Sequence, residues 1–347
     1  MVTNSFMRIL ITGNQGYIGT HVTEHLVSCG YDVIGLDSGF FKSCCLTPIS
    51  NEVQTLQKDI RDVEIQDFSN INTVVHLAAL SNDPIGELDS DLTFEINYKA
   101  AVRVAELAKD SGVSRFIYIS TQSIYGISNI DEELDEVESI KNPQTAYAKS
   151  KWQAEQEILS MSAENFVTTA LRPSTVFGWS PRLRADIVFN NLLLTGLKLN
   201  QIEVHSDGTP WRPIIHVQDI ALAIQKCIES NAEQIQAKAF NLGVINGNYT
   251  VRELAETAQR CLGGIPIHYN TESLTDPRSY RVSFERALID LNFTAQIELE
   301  AGGNEIIWHA KELMARGVDL LDNKTNRLQQ VKHLVRNGLV DDSLRFR

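Results

Sequence analysis

Residues 8–19, "RILITGNQGYIG", run from an apolar stretch through three evenly spaced glycines into a segment of helical period. A strand, a turn made of glycine and a helix beginning on that turn leave few arrangements open. Gly13 permits the tight turn, Gly16 lets the backbone come close to a pyrophosphate, and Gly19 lets helix and strand pack together. The amides of Gln15, Gly16, Tyr17 and Ile18 then sit at a helix N-terminus, which carries a partial positive charge suited to phosphate. This pattern predicts a dinucleotide site.

The pattern continues along the chain. Strand-like runs "YDVIGLD", "NTVVHLAAL", "SRFIYIST" and "FVTTALRPSTVFG" alternate with segments of helical spacing, among them "DLTFEINYKAAVRVAELAKDSGV", which Gly112 ends. Such alternation predicts a Rossmann-type α/β fold: a doubly wound parallel sheet with helices on both faces. After Phe177 the strands shorten, which predicts a smaller C-terminal α/β lobe. The expected division is 1–177 for the dinucleotide-binding domain, with later segments returning to it. Residues 178–347 are then mainly a substrate lobe, ending in a helical tail "NKTNRLQQVKHLVRNGLVDDSLRFR".

Composition narrows the partners. The 347 residues are 43% hydrophobic and 22% charged, with a net charge of −13. That balance argues against nucleic acid, which needs a basic face. It leaves room for a small anion held by local arginines. No apolar run reaches membrane-spanning length, and "MVTNSFMRILITG" has no leader pattern, so a cytoplasmic protein without membrane contact is expected. The five cysteines are odd in number, lack metal-ligand spacing and include the neighbours Cys44 and Cys45. Reduced thiols and no metal are expected.

Asp37 closes the second strand, 18 residues after Gly19. An acid there accepts hydrogen bonds from both adenosine ribose hydroxyls and repels a 2′-phosphate, which favours NAD over NADP; Lys42 nearby is the one contrary residue. Asp59 is placed to reach the adenine edge, with Ile60 beside the ring. Leu77, Ala78 and Ala79 follow the next strand where small side chains would let the dinucleotide pass.

Four motifs then appear in order: Gly-x-x-Gly-x-x-Gly at 13–19, "HLAA" at 76–79, "STQSIYG" at 120–126 and Tyr147-x-x-x-Lys151. In this order the chain resembles the extended short-chain dehydrogenase/reductase family, in particular its nucleotide-sugar epimerases and dehydratases, over residues 7 to about 290. The resemblance implies an NAD enzyme with Thr121, Tyr147 and Lys151 as catalytic residues. The chemistry suits the spacing. A phenol ionises near pH 10, and an ammonium one helical turn away favours the phenolate. Tyr147 could then take a hydroxyl proton while carbon gives up hydride, with Lys151 also holding the nicotinamide ribose.

The resemblance also implies Asn97 beside the cofactor phosphate and ribose, a helix-packing role being the alternative, and Tyr125 in the pocket wall. For substrate it implies Thr121, Tyr147, Thr175, Arg212 and Arg278, the two arginines gripping a nucleotide diphosphate through their planar forks. Thr175 stands where the family commonly has Asn. "SPRLRAD" and Asn190–Asn191 resemble a subgroup acting on surface-polysaccharide sugars, some of them heptoses. Arg182, Arg184 and Arg281 are expected at the surface, and Asp219 as a helix N-cap.

The family's 4,6-dehydratases carry two acids where Gln122 and Ser123 stand, and its glucuronate decarboxylases keep Glu at the second position. An amide and a hydroxyl cannot replace an acid–base pair. The expectation is a 4-epimerase, with a C4 dehydrogenase or 4-keto reductase as alternative and a non-catalytic NAD-binding protein as the reading from another class. The resemblance further implies a homodimer through helices Leu92–Asp110 and Thr145–Met161, with Val102, Leu107, Trp152 and Ile158 as apolar residues beyond one core-facing stripe.

Overall fold

The computed structural model describes residues 7–81, 89–128, 131–270 and 279–347. Strands β1 (Arg8–Thr12), β2 (Asp32–Asp37), β3 (Thr55–Gln57), β4 (Thr73–His76) and β5 (Arg115–Ile119) occupy the N-terminal part. They are followed by β6 (Glu133–Leu134), β7 (Val167–Pro173), β8 (Thr175–Phe177), β9 (Ile202–Val204) and β10 (Trp211–His216). Then come β11 (Lys238–Leu242), β12 (Asn248–Thr250), β13 (Ile267–Tyr269) and β14 (Arg281–Val282).

Seven of these form one sheet in the order β11-β7-β5-β4-β1-β2-β3, and every pairing in it is parallel. The doubly wound α/β architecture predicted from the alternation is the observed one. Its strands are apolar at successive positions because both faces are covered. Leu10, Val74, Phe116 and Tyr118 face one core, shared with helices Ala101–Asp110 and Ala146–Ser160. Ile9, Ile11, Val75 and Ile117 face the other, shared with helices Tyr17–Ser28 and Val217–Glu229. The strand order reverses between β1 and β4, and a ligand site is expected beyond the carboxyl ends of those two strands.

The second lobe is built on the three-stranded sheet β12-β10-β8 and the pair β13-β9. Its core joins helices Val188–Leu199, Val251–Cys261 and Leu299–Ala315. The chain does not stay there after Phe177: β11 and helices Val217–Glu229 and Glu285–Leu291 lie on the large sheet. Nor does the C-terminal segment belong with the second lobe. Val331 and Leu334 of helix Arg327–Arg336, with Val340 and Leu344 beyond it, are buried in the first core.

No described helix is long and apolar enough to cross a membrane. The cysteines are all free. Of the four apolar side chains expected beyond one core-facing stripe, Val102 and Ile158 are buried in the core, and Leu107 and Trp152 are half-buried against it.

One ion pair anchors the helix that carries Tyr147. Glu155, fully buried, accepts from Arg172 Nη2 at 2.6 Å and from its Nε at 3.1 and 3.2 Å. Arg172 stands on β7, so the bond pins helix Ala146–Ser160 to the sheet. Its Nη1 also donates to Tyr125 Oη at 3.0 Å, and Tyr125 reaches Asn241 Oδ1 on β11 at 2.9 Å. Removing one partner of such a pair leaves a buried, unmatched charge. Glu155→Ala is expected to destabilise the fold by about 3–5 kcal/mol, measured by urea or thermal unfolding. A loss below ~1 kcal/mol would mean that water reaches Arg172 and that the pair is not the anchor.

Candidate active site

The carboxyl ends of β1 and β4 open into a cleft of about 570 Å³, within the usual range for small-ligand sites. Backbone geometry builds its floor. Gly13 has φ +77°, and a Cβ on it would lie 2.8 Å from Ala78 N. A Cβ on Gly19 would lie 2.1 Å from Gly13 O. Neither position tolerates a side chain, so turn, helix and β4 approach as closely as the glycine spacing predicts. Gly13, Gly16, Tyr17, Ile18 and Gly19 line the cleft. The Tyr17 side chain runs on into the second lobe, its hydroxyl donating to Gly178 O at 2.8 Å.

Asp37 lines the same wall and also braces the turn: it accepts from Gln15 N at 3.0 Å and Gly39 N at 2.8 Å. Burial pushes its pKa up, against the pull of those two amides. Lys42 is exposed and does not line the cleft. Asp59 and Ile60 do line it. The Asp59 carboxylate caps the turn Ile60–Asp62 and grips Arg61, accepting from its Nη2 at 2.7 Å. Burial alone would raise the Asp59 pKa, but the bonds from Arg61 bring it below the usual carboxylate value.

Leu77, Ala78, Ala79 and Leu80 follow β4 along the cleft. Asn97 is buried behind them in a π-helical turn, Glu95–Ala100. Its amide accepts from Leu80 N at 2.8 Å and donates to Leu80 O at 3.1 Å. It is a buttress for the Leu77–Leu80 segment and does not line the cleft. His76, just before, is stacked beside Phe116 and Tyr118 and bonded through Nδ1 to Thr12 Oγ1 at 2.9 Å. Burial, with the nearby Lys151 charge, lowers its pKa to about 3, and it does not line the cleft.

Thr121 follows β5, lines the cleft and accepts from Ser123 N at 3.1 Å. Tyr147 and Lys151 line it from helix Ala146–Ser160, whose N-cap Thr145 accepts from Ala148 N at 3.2 Å. The three predicted catalytic side chains thus share one wall. Lys151 is 3% exposed, its Nζ 4.2 Å from the Tyr118 ring centroid. Burial pushes its pKa down to about 7, with Glu155 opposing. Ser123 faces the cleft, but Gln122 turns away, its Nε2 donating to Arg172 O at 3.0 Å and Leu242 O at 3.1 Å. Tyr125 is not in the wall either. Its hydroxyl is tied to Arg172 and Asn241, which hold it away from the cleft.

Thr175 and Arg212 line the cleft from β8 and β10, Arg212 Nη1 donating to Trp211 O at 2.8 Å. Arg278 lies outside the described residues. Two surface expectations are overturned: Arg182 and Arg184 are 6% and 9% exposed. Arg184 lines the cleft, forked onto Asp186 at 3.0 Å through Nε and Nη2. The Arg-x-Asp spacing in "SPRLRAD" carried that signal, since a fork needs a carboxylate within reach. Arg281 is partly exposed and paired with Glu133. Asp219 is not an N-cap: His216 is, and Asp219 accepts from Gln296 N at 2.8 Å and Ile297 N at 3.2 Å, tethering that segment.

The sequence reading missed Ser120, Ser174, Asn326, Arg327 and Leu328, all in the cleft wall. The hydroxyls of Ser120 and Ser174 are buried without a protein partner, as fits a cleft made to hold a polar ligand. A floor that excludes Cβ atoms, an acid at the end of β2 and two unsatisfied hydroxyls together fit a dinucleotide.

Residues 9–243 match the model of the NAD dependent epimerase/dehydratase family. The chain belongs to that family, and its cofactor is NAD. UDP-glucuronic acid decarboxylase 1 of Xenopus tropicalis is 26% identical over 314 residues, 88% of this chain and 73% of the relative. UDP-glucose 4-epimerase of Corynebacterium glutamicum is 25% identical over 307 residues, 84% of this chain and 91% of the relative. Among solved structures, MoeE5 in complex with UDP-glucuronic acid and NAD superposes with a TM-score of 0.75 at 25% identity, over 90% of this chain and all of that one.

The Asp37 geometry carries a test. Asp37→Ala is expected to weaken NAD by about 1–3 kcal/mol, the worth of hydrogen bonds to a charged group, by calorimetric titration. In the unchanged protein NAD affinity should also fall as pH drops through the raised Asp37 pKa, because only the ionised carboxylate accepts from both ribose hydroxyls. Tighter binding of NADP than of NAD would overturn the assignment.

Proposed function

We propose that the protein is a nucleotide-sugar 4-epimerase that oxidises its substrate transiently at C4. The observation that carries this reading is the wall around Tyr147. Among the described residues the acids lining the cleft are Asp37, Asp59 and Asp186. Asp37 braces the glycine turn, Asp59 is held by Arg61, and Asp186 is forked by Arg184. Beside Thr121 stand an uncharged hydroxyl, Ser123, and an amide turned to the protein interior, Gln122. Elimination needs an acid and a base at that place, and neither residue is one.

NAD supplies the acceptor and later the donor of the C4 hydride. Tyr147 takes the C4 hydroxyl proton as hydride departs and returns it when hydride comes back. Lys151 favours the phenolate through a charge that burial leaves poorly screened. Thr121 hydrogen-bonds the reacting oxygen and orients it toward Tyr147. A keto sugar that turned in the cleft before the hydride returned would come back inverted at C4, with no net change of cofactor. Arg212 holds the nucleotide diphosphate while the sugar turns.

The relatives include a decarboxylase and an epimerase at nearly equal identity, so the products decide. NMR of reactions with UDP-glucose, UDP-glucuronic acid and the corresponding GDP-, CDP- and dTDP-sugars is expected to show a C4 epimer with no net NADH. A pentose with carbon dioxide, a 6-deoxy keto sugar, or NADH accumulating in step with a 4-keto product would each overturn epimerisation.

On the substrate so established, Tyr147→Phe is expected to lower turnover by on the order of 10²–10⁴, the worth of positioned acid–base catalysis, with NAD binding kept. Lys151→Met should lose activity at neutral pH and regain part of it as pH approaches about 10, where a phenol ionises unaided. Tyr147→Phe has no phenol and should show no such rise. Native turnover in Tyr147→Phe would remove Tyr147 from the mechanism.

A further inference from the structure

The C-terminal segment brings a buried charge to the cleft with no acid bonded to it among the described residues. Arg327 opens helix Arg327–Arg336, is 1% exposed, and lines the cleft between Asn326 and Leu328. Its guanidinium donates to Lys324 O at 3.1 Å and to Arg182 O at 2.6 Å, and lies 4.6 Å from the Phe41 ring centroid. These partners are all neutral. Among the described residues Arg327 forms no ion pair.

Its surroundings add more positive charge. Arg182 is buried next to it and donates to Thr20 Oγ1 at 3.0 Å, in the helix that begins on the glycine turn, while its Nε has no partner. Arg184 is forked onto Asp186. Asp37 feels the Arg182 charge, but its oxygens are bonded to the amides of Gln15 and Gly39. Three guanidiniums therefore share one ion-paired carboxylate. Burial, then repulsion from Arg184, lowers the pKa of Arg327 to about 10, with Asp186 pulling the other way and Arg182 adding a smaller repulsion. A buried cation is costly unless something negative joins it.

The rest of the segment fixes Arg327 in place beside the part of the cleft wall that Phe40, Phe41, Asp59 and Ile60 form. Gln330 Nε2 donates to Phe40 O at 3.2 Å, and the Phe346 ring stacks on Phe40 at 5.5 Å. Arg61, which holds Asp59, also donates to Ser343 O at 2.8 Å, and Arg345 pairs with Asp62. Val331, Leu334, Val340 and Leu344 share a core with Ile60 and Leu80. Phe40, Phe41, Asp59 and Ile60 are cleft residues, so the segment backs the wall where an adenosine would lie.

We propose that residues 326–347 form the outer wall of the dinucleotide site and that Arg327 binds a phosphate of the NAD pyrophosphate. The helix N-terminus offers that phosphate only partial charge from one side, and Arg327 completes it with a full charge from the other. The inference rests on NAD as cofactor and is independent of the reaction at C4.

The test is binding without sugar substrate. Wild type, Arg327→Met and Arg327→Lys are titrated calorimetrically with NAD, NADP, ADP and adenosine. Arg327→Met is expected to weaken NAD and ADP by about 10- to 100-fold, the worth of hydrogen bonds to a charged group, and to leave adenosine unchanged. Arg327→Lys should keep part of the preference for ADP over adenosine. Unchanged ADP binding in Arg327→Met, or an equal loss for adenosine, would make Arg327 a structural residue and overturn the proposal. Tighter binding of NADP than of NAD by wild type would overturn it too, by assigning the cation to a 2′-phosphate. Should Arg327→Met fail to fold, hydrogen exchange in wild type decides. ADP should slow exchange in residues 327–336 and adenosine should not; equal effects of the two would reject the phosphate contact.

Discussion

The buried bond between Glu155 and Arg172 organises the reactive half of the molecule. Tyr147, Lys151 and Glu155 are spaced four residues apart on one helix, so they lie along one face. Fixing Glu155 to β7 fixes the rotation of that helix, and with it the direction in which Tyr147 and Lys151 point. The same guanidinium meets Tyr125, and through Tyr125 the network reaches Asn241 on the edge strand β11. Arg172 O also accepts from Gln122, the residue after Thr121. One side chain and its own carbonyl therefore set both the helix bearing Tyr147 and the turn bearing Thr121.

The pair has an electrostatic consequence as well. Glu155 is close enough to Lys151 to raise its pKa, and an unpaired carboxylate there would compete with Tyr147 for the ammonium. Matched to Arg172, Glu155 offers a balanced neighbour instead. Burial of Lys151 then strengthens what its charge does to the phenol, because little water remains to screen it. Burial lowers the lysine pKa, and negative charge nearby favours its ammonium form.

Much of this was legible in the chain. The sheet follows from apolar runs alternating with helical periods, and the glycine triplet marks the turn where a Cβ on Gly13 or Gly19 would collide with backbone. Thr121, Tyr147 and Lys151 share one wall, as the motif order implies. Local patterns carry these because each depends on near neighbours in sequence. The departures have a common cause. Tyr125, Asp219 and Arg182 take their roles from distant partners: Arg172 lies 47 positions from Tyr125, Gln296 lies 77 from Asp219, and Thr20 lies 162 from Arg182. Arg184 has its acid two residues away, yet it also reaches back 103 positions to Ser81 O across the cleft. Burial of a guanidinium cannot be read from its own segment when the groups that enclose it come from elsewhere.

The C-terminal segment is the clearest instance. Its apolar spacing announces an amphipathic helix but not the surface that covers it. That surface is assembled from the segments after β2, β3 and β4, which only the fold brings together. Once docked, the segment changes what the cleft asks of its cofactor. An open groove suits an enzyme that exchanges oxidised for reduced cofactor at each turnover. A groove closed at the adenosine end suits one that returns the hydride it borrowed. The proposed wall and the absence of an acid–base pair beside Tyr147 among the described residues rest on separate features at separate ends of the cleft. Both favour a cycle in which neither water nor cofactor has to leave before the sugar does.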